Sequence, residues 1–182
     1  DTLSLHDALP IYNIKQLIGY IGFFGPLILI FSSIILLIQK QNLLVYYLIG
    51  LGANTITNII LKLLIKDPRP KEDMALFEAE LAHDKRRILF DQYGMPSGHA
   101  QSMGYSLGFI MFAIKSHLVT NIYFVLTLIT LCQRFIYKNH TVAQLLVGTM
   151  VGFTIGYLFY LIATKKIMGQ ITAKLDDNAP FF

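Results

Sequence analysis

The chain has 182 residues, 54% of them hydrophobic and 14% charged, with a formal net charge of +4 and a mean hydropathy of +0.55. Soluble domains carry about 25% charged residues, so an ordinary water-soluble globular fold is excluded. The basic residues lie between apolar blocks, where lipid headgroups or anionic substrates would meet them, and that placement argues against a nucleic-acid partner.

Backbone groups in hydrocarbon must be satisfied within their own segment. The expected class is therefore all-α: a polytopic integral-membrane helical bundle, lodged in a lipid bilayer, with about five transmembrane helices. The only cysteine is Cys132, so an internal disulfide is impossible. Residues 1–11 (Asp1 to Ile11) lack an initiator methionine and read neither as helix nor as targeting segment. They resemble a translated sequencing-library adapter and are expected to be non-native. Residues 12–166 are expected to form the membrane-embedded domain and 167–182 a short polar tail.

In chain order, the first span is Leu17 to Ile38, which has no charged residue and is long enough for a hydrocarbon core of about 30 Å. A turn at Gln39 to Asn42 leads to a second span, Leu43 to Lys66, stopped by Asp67-Pro68-Arg69-Pro70 because proline cannot continue the hydrogen-bond ladder. Asn54, Asn58 and Lys62 are four apart and so share one face, which in a membrane turns toward the bundle interior or a wet cavity. Asp67 to Pro96 is a long polar connection. Within it Met74, Phe77, Leu81 and Ile88 have roughly helical spacing, read either as a helix on the membrane surface or as a solvated loop helix. The third span is His99 to Ile114, the fourth Val119 to Cys132, and the fifth His140 to Ala163. Gly104/Gly108 and Gly148/Gly152/Gly156 recur every fourth residue and are taken as close-packing positions.

Three groups of residues carry chemistry. Gly94-Met95-Pro96-Ser97-Gly98-His99 opens an apolar run, at the N-terminal end of a buried helix, where free amides and the helix dipole favour an anion. A histidine there can move a proton near neutral pH. Lys62 with Arg69-Pro70 precedes this group, and Arg134, His140 and Gln144 follow it. Counting crossings brings all of them to one membrane face: the second span delivers Lys62 and Arg69, the third departs at His99, and the fourth returns at Arg134. Lysines and arginines are spread too evenly over the two sides to fix the orientation.

Lys62-x6-Arg69-Pro70, Pro96-Ser97-Gly98-His99 and Arg134-x5-His140-x3-Gln144 together resemble the tripartite signature of the type 2 phosphatidic acid phosphatase superfamily, which includes vanadium haloperoxidases. The resemblance covers about Leu43 to Ala163. Two positions depart from it: Gln133 stands where serine is common, and Gln144 where aspartate is common. The Tyr93 to Ser97 lead-in and the His140-Thr141-x-x-Gln144 segment are similar to the dolichyldiphosphatase branch.

The resemblance implies a metal-independent lipid phosphatase without cofactor, acting on a lipid phosphate or polyprenyl diphosphate, with its site on the lumenal or external face. It implies His140 as the nucleophile that becomes phosphohistidine and His99 as acid, then base. Lys62, Arg69 and Arg134, with the Ser97-Gly98 backbone and the Ser97 hydroxyl, would hold the phosphoryl oxygens. Gln144, one turn past His140, would accept from Nδ1 and fix the tautomer; Gln144→Asp is then expected to keep or raise turnover and Gln144→Leu to lower it. The alternatives are a phosphatidate-type monoester phosphatase, a lipid phosphotransferase and a non-catalytic lipid-phosphate binder. His6, His83 and His117 are expected at the solvent, and Asp67, Asp73 and Asp91 as turn and loop residues.

Overall fold

The computed structural model describes residues 11–70 and 89–170, with side chains for 17–70 and 90–165. The expected surface helix around Met74 to Ile88, residues 1–10 of the expected non-native segment and residues 171–182 of the expected tail lie outside the described residues.

Among the described residues five α-helices follow one another: α1 (Ile11–Leu37), α2 (Gln41–Ile65), α3 (Gly98–Ala113), α4 (His117–Ile136) and α5 (Val142–Gln170), with a short 3-10 turn at Leu89–Gln92 before α3. Among the described residues there is no strand, only an isolated bridge between Pro68 and Tyr93. Leu17–Leu37, Gln41–Ile65, His117–Ile136 and Val142–Lys165 are long and apolar enough to cross a membrane. Large side chains such as Phe31, Ile35, Leu64, Phe124 and Met150 are exposed on these helices, as lipid-facing positions must be. The chain is a multi-pass membrane protein.

α1 starts at Ile11, earlier than the expected Leu17 and inside the segment that reads as non-helical, and α4 and α5 also differ from the expected spans. α4 runs to Ile136, so Arg134 sits in its last turn instead of in a loop. α5 starts at Val142, which leaves His140 in the connection, and runs on to Gln170; leaving the hydrocarbon at Lys165 and Lys166 does not by itself stop a helix. α3 has only 16 residues, about 24 Å at 1.5 Å per residue. It can be short because it is the central post: most of its residues are buried and all four other helices pack on it.

Its closest neighbour is α5, which runs parallel to it. A Cβ on Gly104 or Gly108 would run into the backbone of Thr149 or Phe153, and one on Gly152 or Gly156 into that of Gln101 or Tyr105. The glycines therefore let two backbones meet directly. On the other side, α2 turns one stripe inward, namely Leu43, Tyr47, Gly50, Asn54, Asn58 and Lys62. Gln101 Nε2 donates to the Asn54 carbonyl oxygen at 2.8 Å and to Asn54 Oδ1 at 3.0 Å. Asn58 Nδ2 donates to Gln101 Oε1 at 2.8 Å and to the Pro96 carbonyl at 3.2 Å. Deeper in the bundle, Tyr47 and Ser106 hydroxyls pair at 2.8 Å, and Tyr105 donates to the Tyr47 carbonyl at 2.6 Å. Buried polar groups on α2 and α3 thus find each other, which fixes the rotation of the two helices.

Candidate active site

α2 ends at Lys66, whose left-handed backbone (φ 52°) turns the chain into Asp67-Pro68-Arg69-Pro70. That segment lies against the residues before α3: Pro68 bridges Tyr93, and the Gly94 amide donates to the Asp67 carbonyl at 2.8 Å. Gly94 is glycine for a steric reason, since a Cβ there would collide with the side-chain amide of Gln144. Ser97 caps α3 by accepting from the Ala100 amide, and its own amide donates to the Gln144 carbonyl at 3.1 Å.

Arg134 holds the next segment. Its carbonyl accepts from the amides of Asn139 (3.0 Å) and His140 (3.4 Å), while Lys138 takes a positive φ of 53°. The tight turn brings His140 back beneath the end of α4. Thr141 and Gln144 then start α5 as a capping box: the Gln144 amide donates to Thr141 Oγ1 at 3.3 Å, and the Thr141 amide donates to Gln144 Oε1 at 3.2 Å.

His140 is buried and engaged at both ring nitrogens. Arg69 Nη1 lies 2.9 Å from Nε2, and Gln144 Oε1 lies 3.1 Å from Nδ1. A guanidinium can only donate, so Nε2 is the acceptor and the proton of the neutral ring is on Nδ1, donated to Gln144. Burial, then the Arg69 charge, hold His140 well below the ordinary imidazole range, with smaller contributions from Arg134 and Lys62. All three cations therefore bear on one neutral imidazole whose bare nitrogen points at a guanidinium.

Arg69 also donates from Nη1 to the Asn139 carbonyl (3.2 Å), from Nε to the Asp91 carbonyl (3.0 Å) and from Nη2 to Asp91 Oδ1 (2.8 Å). Lys62 Nζ reaches the same Asp91 oxygen at 2.9 Å. Lys62 is nearly fully buried, whereas the Asp91 side chain is 49% exposed. Two cations thus converge on one carboxylate oxygen at the rim of the site.

Across the site, Arg134 Nη2 meets His99 Nε2. The guanidinium stacks over the Phe23 ring at 5.3 Å from α1, and the Phe23 carbonyl lies 3.2 Å from the same His99 nitrogen. Arg134 therefore links the two histidines, His99 through its side chain and His140 through its backbone.

A family model for the PAP2 superfamily matches residues 43–168. The chain belongs to the PAP2 superfamily. It is similar to lipid phosphate phosphatase epsilon 2, chloroplastic, of Arabidopsis thaliana, with 28% identity over 161 residues that cover 84% of this chain and 51% of the relative. The chain thus spans about half the length of that curated relative. No solved structure matches it.

The PAP2 residues singled out in the sequence fall into two groups. Lys62, Arg69, His140 and Gln144 are joined directly or through Asp91, and Arg134 with His99 forms the second group beside them. Gly98 opens α3 next to Asn58. Ser97 stands differently from expectation: it is fully buried and its amide is committed to the Gln144 carbonyl, which removes that amide from the donors meant for phosphate. Asp67 and Asp91 are more than turn and loop residues. Asp91 binds Lys62 and Arg69, and Asp67 Oδ2 accepts from Gln144 Nε2 at 2.5 Å. Phe23 and Asn139 were not anticipated. Asp67 alone had a signal, as an acid lodged between Lys62 and Arg69 in a helix-ending turn.

Proposed function

We propose that this PAP2 protein is an integral-membrane phosphatase that hydrolyses a lipid phosphate through a phosphohistidine on His140, using fixed cations in place of a metal. The observation that carries this is Arg69, which holds a carboxylate oxygen with Nη2, shared with Lys62, while its Nη1 touches the bare nitrogen of His140. An anion-binding pair of cations is thus one guanidinium away from a neutral nucleophile.

In the reaction, the phosphoryl group takes over Lys62, Arg69 and Arg134, and Asp91 gives up its place. Arg69 shifts from Nε2 to a phosphoryl oxygen, freeing the nitrogen for in-line attack. The Nε2 lone pair forms the P–N bond, the bond from phosphorus to the lipid-side oxygen breaks, and that oxygen takes a proton from His99. The ring becomes cationic while still donating from Nδ1 to Gln144. His99 then takes a proton from water as the water attacks phosphorus, the P–N electrons return to Nε2, and inorganic phosphate leaves. The phosphoryl charge draws Arg134 toward itself and away from His99 Nε2, which opens that nitrogen for the proton it is to pass on.

The Tyr93 to Ser97 lead-in and His140-Thr141-x-x-Gln144 favour a polyprenyl diphosphate such as dolichyl diphosphate, whereas the name of the relative favours a lipid phosphate monoester. Purified protein in detergent, given dolichyl diphosphate and phosphatidate in turn with EDTA, with vanadate and beside His140→Ala, tests the proposal. Phosphate release that survives EDTA and is lost with vanadate and in the variant is expected. Release that is unchanged in His140→Ala overturns it.

A further inference from the structure

Gln144 stands where the sequence resemblance leads one to expect an aspartate, and the structure places a carboxylate, Asp67, against its side chain. Gln144 is fully buried and its amide uses every donor and acceptor site it has. Oε1 accepts from His140 Nδ1 at 3.1 Å and from the Thr141 amide at 3.2 Å. Nε2 donates to Asp67 Oδ2 at 2.5 Å and to the Pro68 carbonyl at 2.9 Å. Reversing the amide would set N–H against N–H and oxygen against oxygen at all four contacts. The amide is therefore oriented, and the strongest acceptor orienting it is the only charged one, Asp67.

We infer that Asp67 is a positioning residue for His140, acting through the Gln144 amide, and this deepens the phosphatase reading on which its kinetic part rests. While Arg69 lies on Nε2, the His140 tautomer is fixed from that side. Once Arg69 moves to the phosphoryl group, only Gln144 keeps the proton on Nδ1 and Nε2 bare. The imidazolium that forms on attack then draws the amide oxygen toward it, and the Asp67 carboxylate stabilises the polarised amide from the far side. In this chain the negative charge behind His140 lies one amide away from the ring, on the segment leaving α2.

This arrangement reverses the expectation for Gln144→Asp. A carboxylate at 144 would face the Asp67 carboxylate, and like charges that close cannot both stay ionised. The single variant should therefore lose activity. In Asp67→Asn/Gln144→Asp the charge has moved onto residue 144, where it accepts from His140 directly and from the side-chain amide introduced at position 67.

The test has two arms. In the kinetic arm, Asp67→Leu should lower kcat by about 10- to 100-fold, as removal of an outer partner of a functional histidine does, with KM little changed. Asp67→Asn/Gln144→Asp should exceed both Asp67→Asn and Gln144→Asp in kcat. A double variant no better than its singles, or an Asp67→Leu protein with parental kcat, overturns the inference. A merely structural side-chain clasp between 67 and 144 would be rescued as well, so the tautomer measured in the second arm separates positioning from support.

The second arm needs no turnover. In Arg69→Met protein labelled with 15N-histidine, Gln144 alone sets the tautomer, so His140 should show a protonated Nδ1. Adding Asp67→Leu should give mixed tautomers, and an unaltered Nδ1–H spectrum overturns the inference. Mixed tautomers in a protein whose parent releases no phosphate would uphold the Asp67 relay and defeat the phosphatase reading.

Discussion

The surroundings of His140 and of His99 differ in kind. His140 has a donor on one nitrogen and an acceptor on the other, so a single neutral tautomer satisfies both. His99 has one nitrogen against a donor-only guanidinium and an acceptor-only carbonyl, Arg134 and Phe23, and no neutral tautomer satisfies both at once. A nucleophile needs one nitrogen kept free of a proton, whereas a group that must gain and lose a proton within a cycle is helped by an environment that commits it to neither state. The two imidazoles are the same chemical group, and under the phosphatase proposal it is their neighbours that assign them different roles.

The largest effect should come from the committed ring. His140→Ala is expected to reduce phosphate release by about 10⁴-fold or more, as loss of a catalytic nucleophile does, measured as phosphate released per enzyme; a smaller loss would erase the distinction. His99→Ala should cost about 10²- to 10⁴-fold on a lipid substrate, the range of general acid–base catalysis. With an aryl phosphate, whose leaving oxygen needs no proton, it should still form phosphohistidine and then stall. Phosphoenzyme that is stable to alkali and labile to acid would sharpen the division of roles. Its absence in His99→Ala would place His99 before the first step.

Arg69→Lys keeps the charge but loses the fork that serves His140, Asn139 and Asp91 together. We expect a kcat/KM about 10- to 100-fold lower, a loss of about 1.4 to 2.8 kcal/mol in transition-state binding. Asp91→Asn should go the other way. Removing a half-exposed carboxylate from Lys62 and Arg69 should tighten vanadate inhibition by about two- to fivefold, the value of an exposed ion pair; weaker inhibition would mean that Asp91 stays in place when phosphate binds.

The smallest effect concerns protonation. Because the His140 pKa is lowered, the ring loses its proton at lower pH than a free imidazole of pKa about 6.5. It should therefore stay neutral at pH 5, where a free imidazole is mostly charged. A 15N titration of ligand-free protein, with His140 assigned by its loss in His140→Ala, checks this.

Much of this arrangement was legible in the chain itself. Four-residue spacing of Asn54, Asn58 and Lys62 on one helix is a local signal, and the three lie on the buried stripe of α2. The glycine spacing likewise marked close-packing positions, and the structure shows that the two stripes meet each other at the α3–α5 contact. What escaped were contacts between segments far apart in sequence, for which no spacing rule exists. Asp91 to Lys62 spans 29 residues, Asp67 to Gln144 spans 77, and Phe23 to His99 spans 76. His140-Thr141-x-x-Gln144 carries in sequence only the resemblance and the expected bond from His140 Nδ1 to Gln144; that Thr141 and Gln144 cap α5, and that the same Gln144 amide also bonds Asp67, needed the fold.

The glycine seam between α3 and α5 has a mechanical consequence. His99 lies in the first turn of one of these helices and His140 in the connection just before the other, so both rings are mounted at the ends of a pair of rods whose main chains already touch. Such a frame works like a caliper with its screw locked. Under the phosphatase proposal, room for a headgroup would then have to be made by the elements around that pair, α1, α2 and α4 and the short turn at Leu89–Gln92.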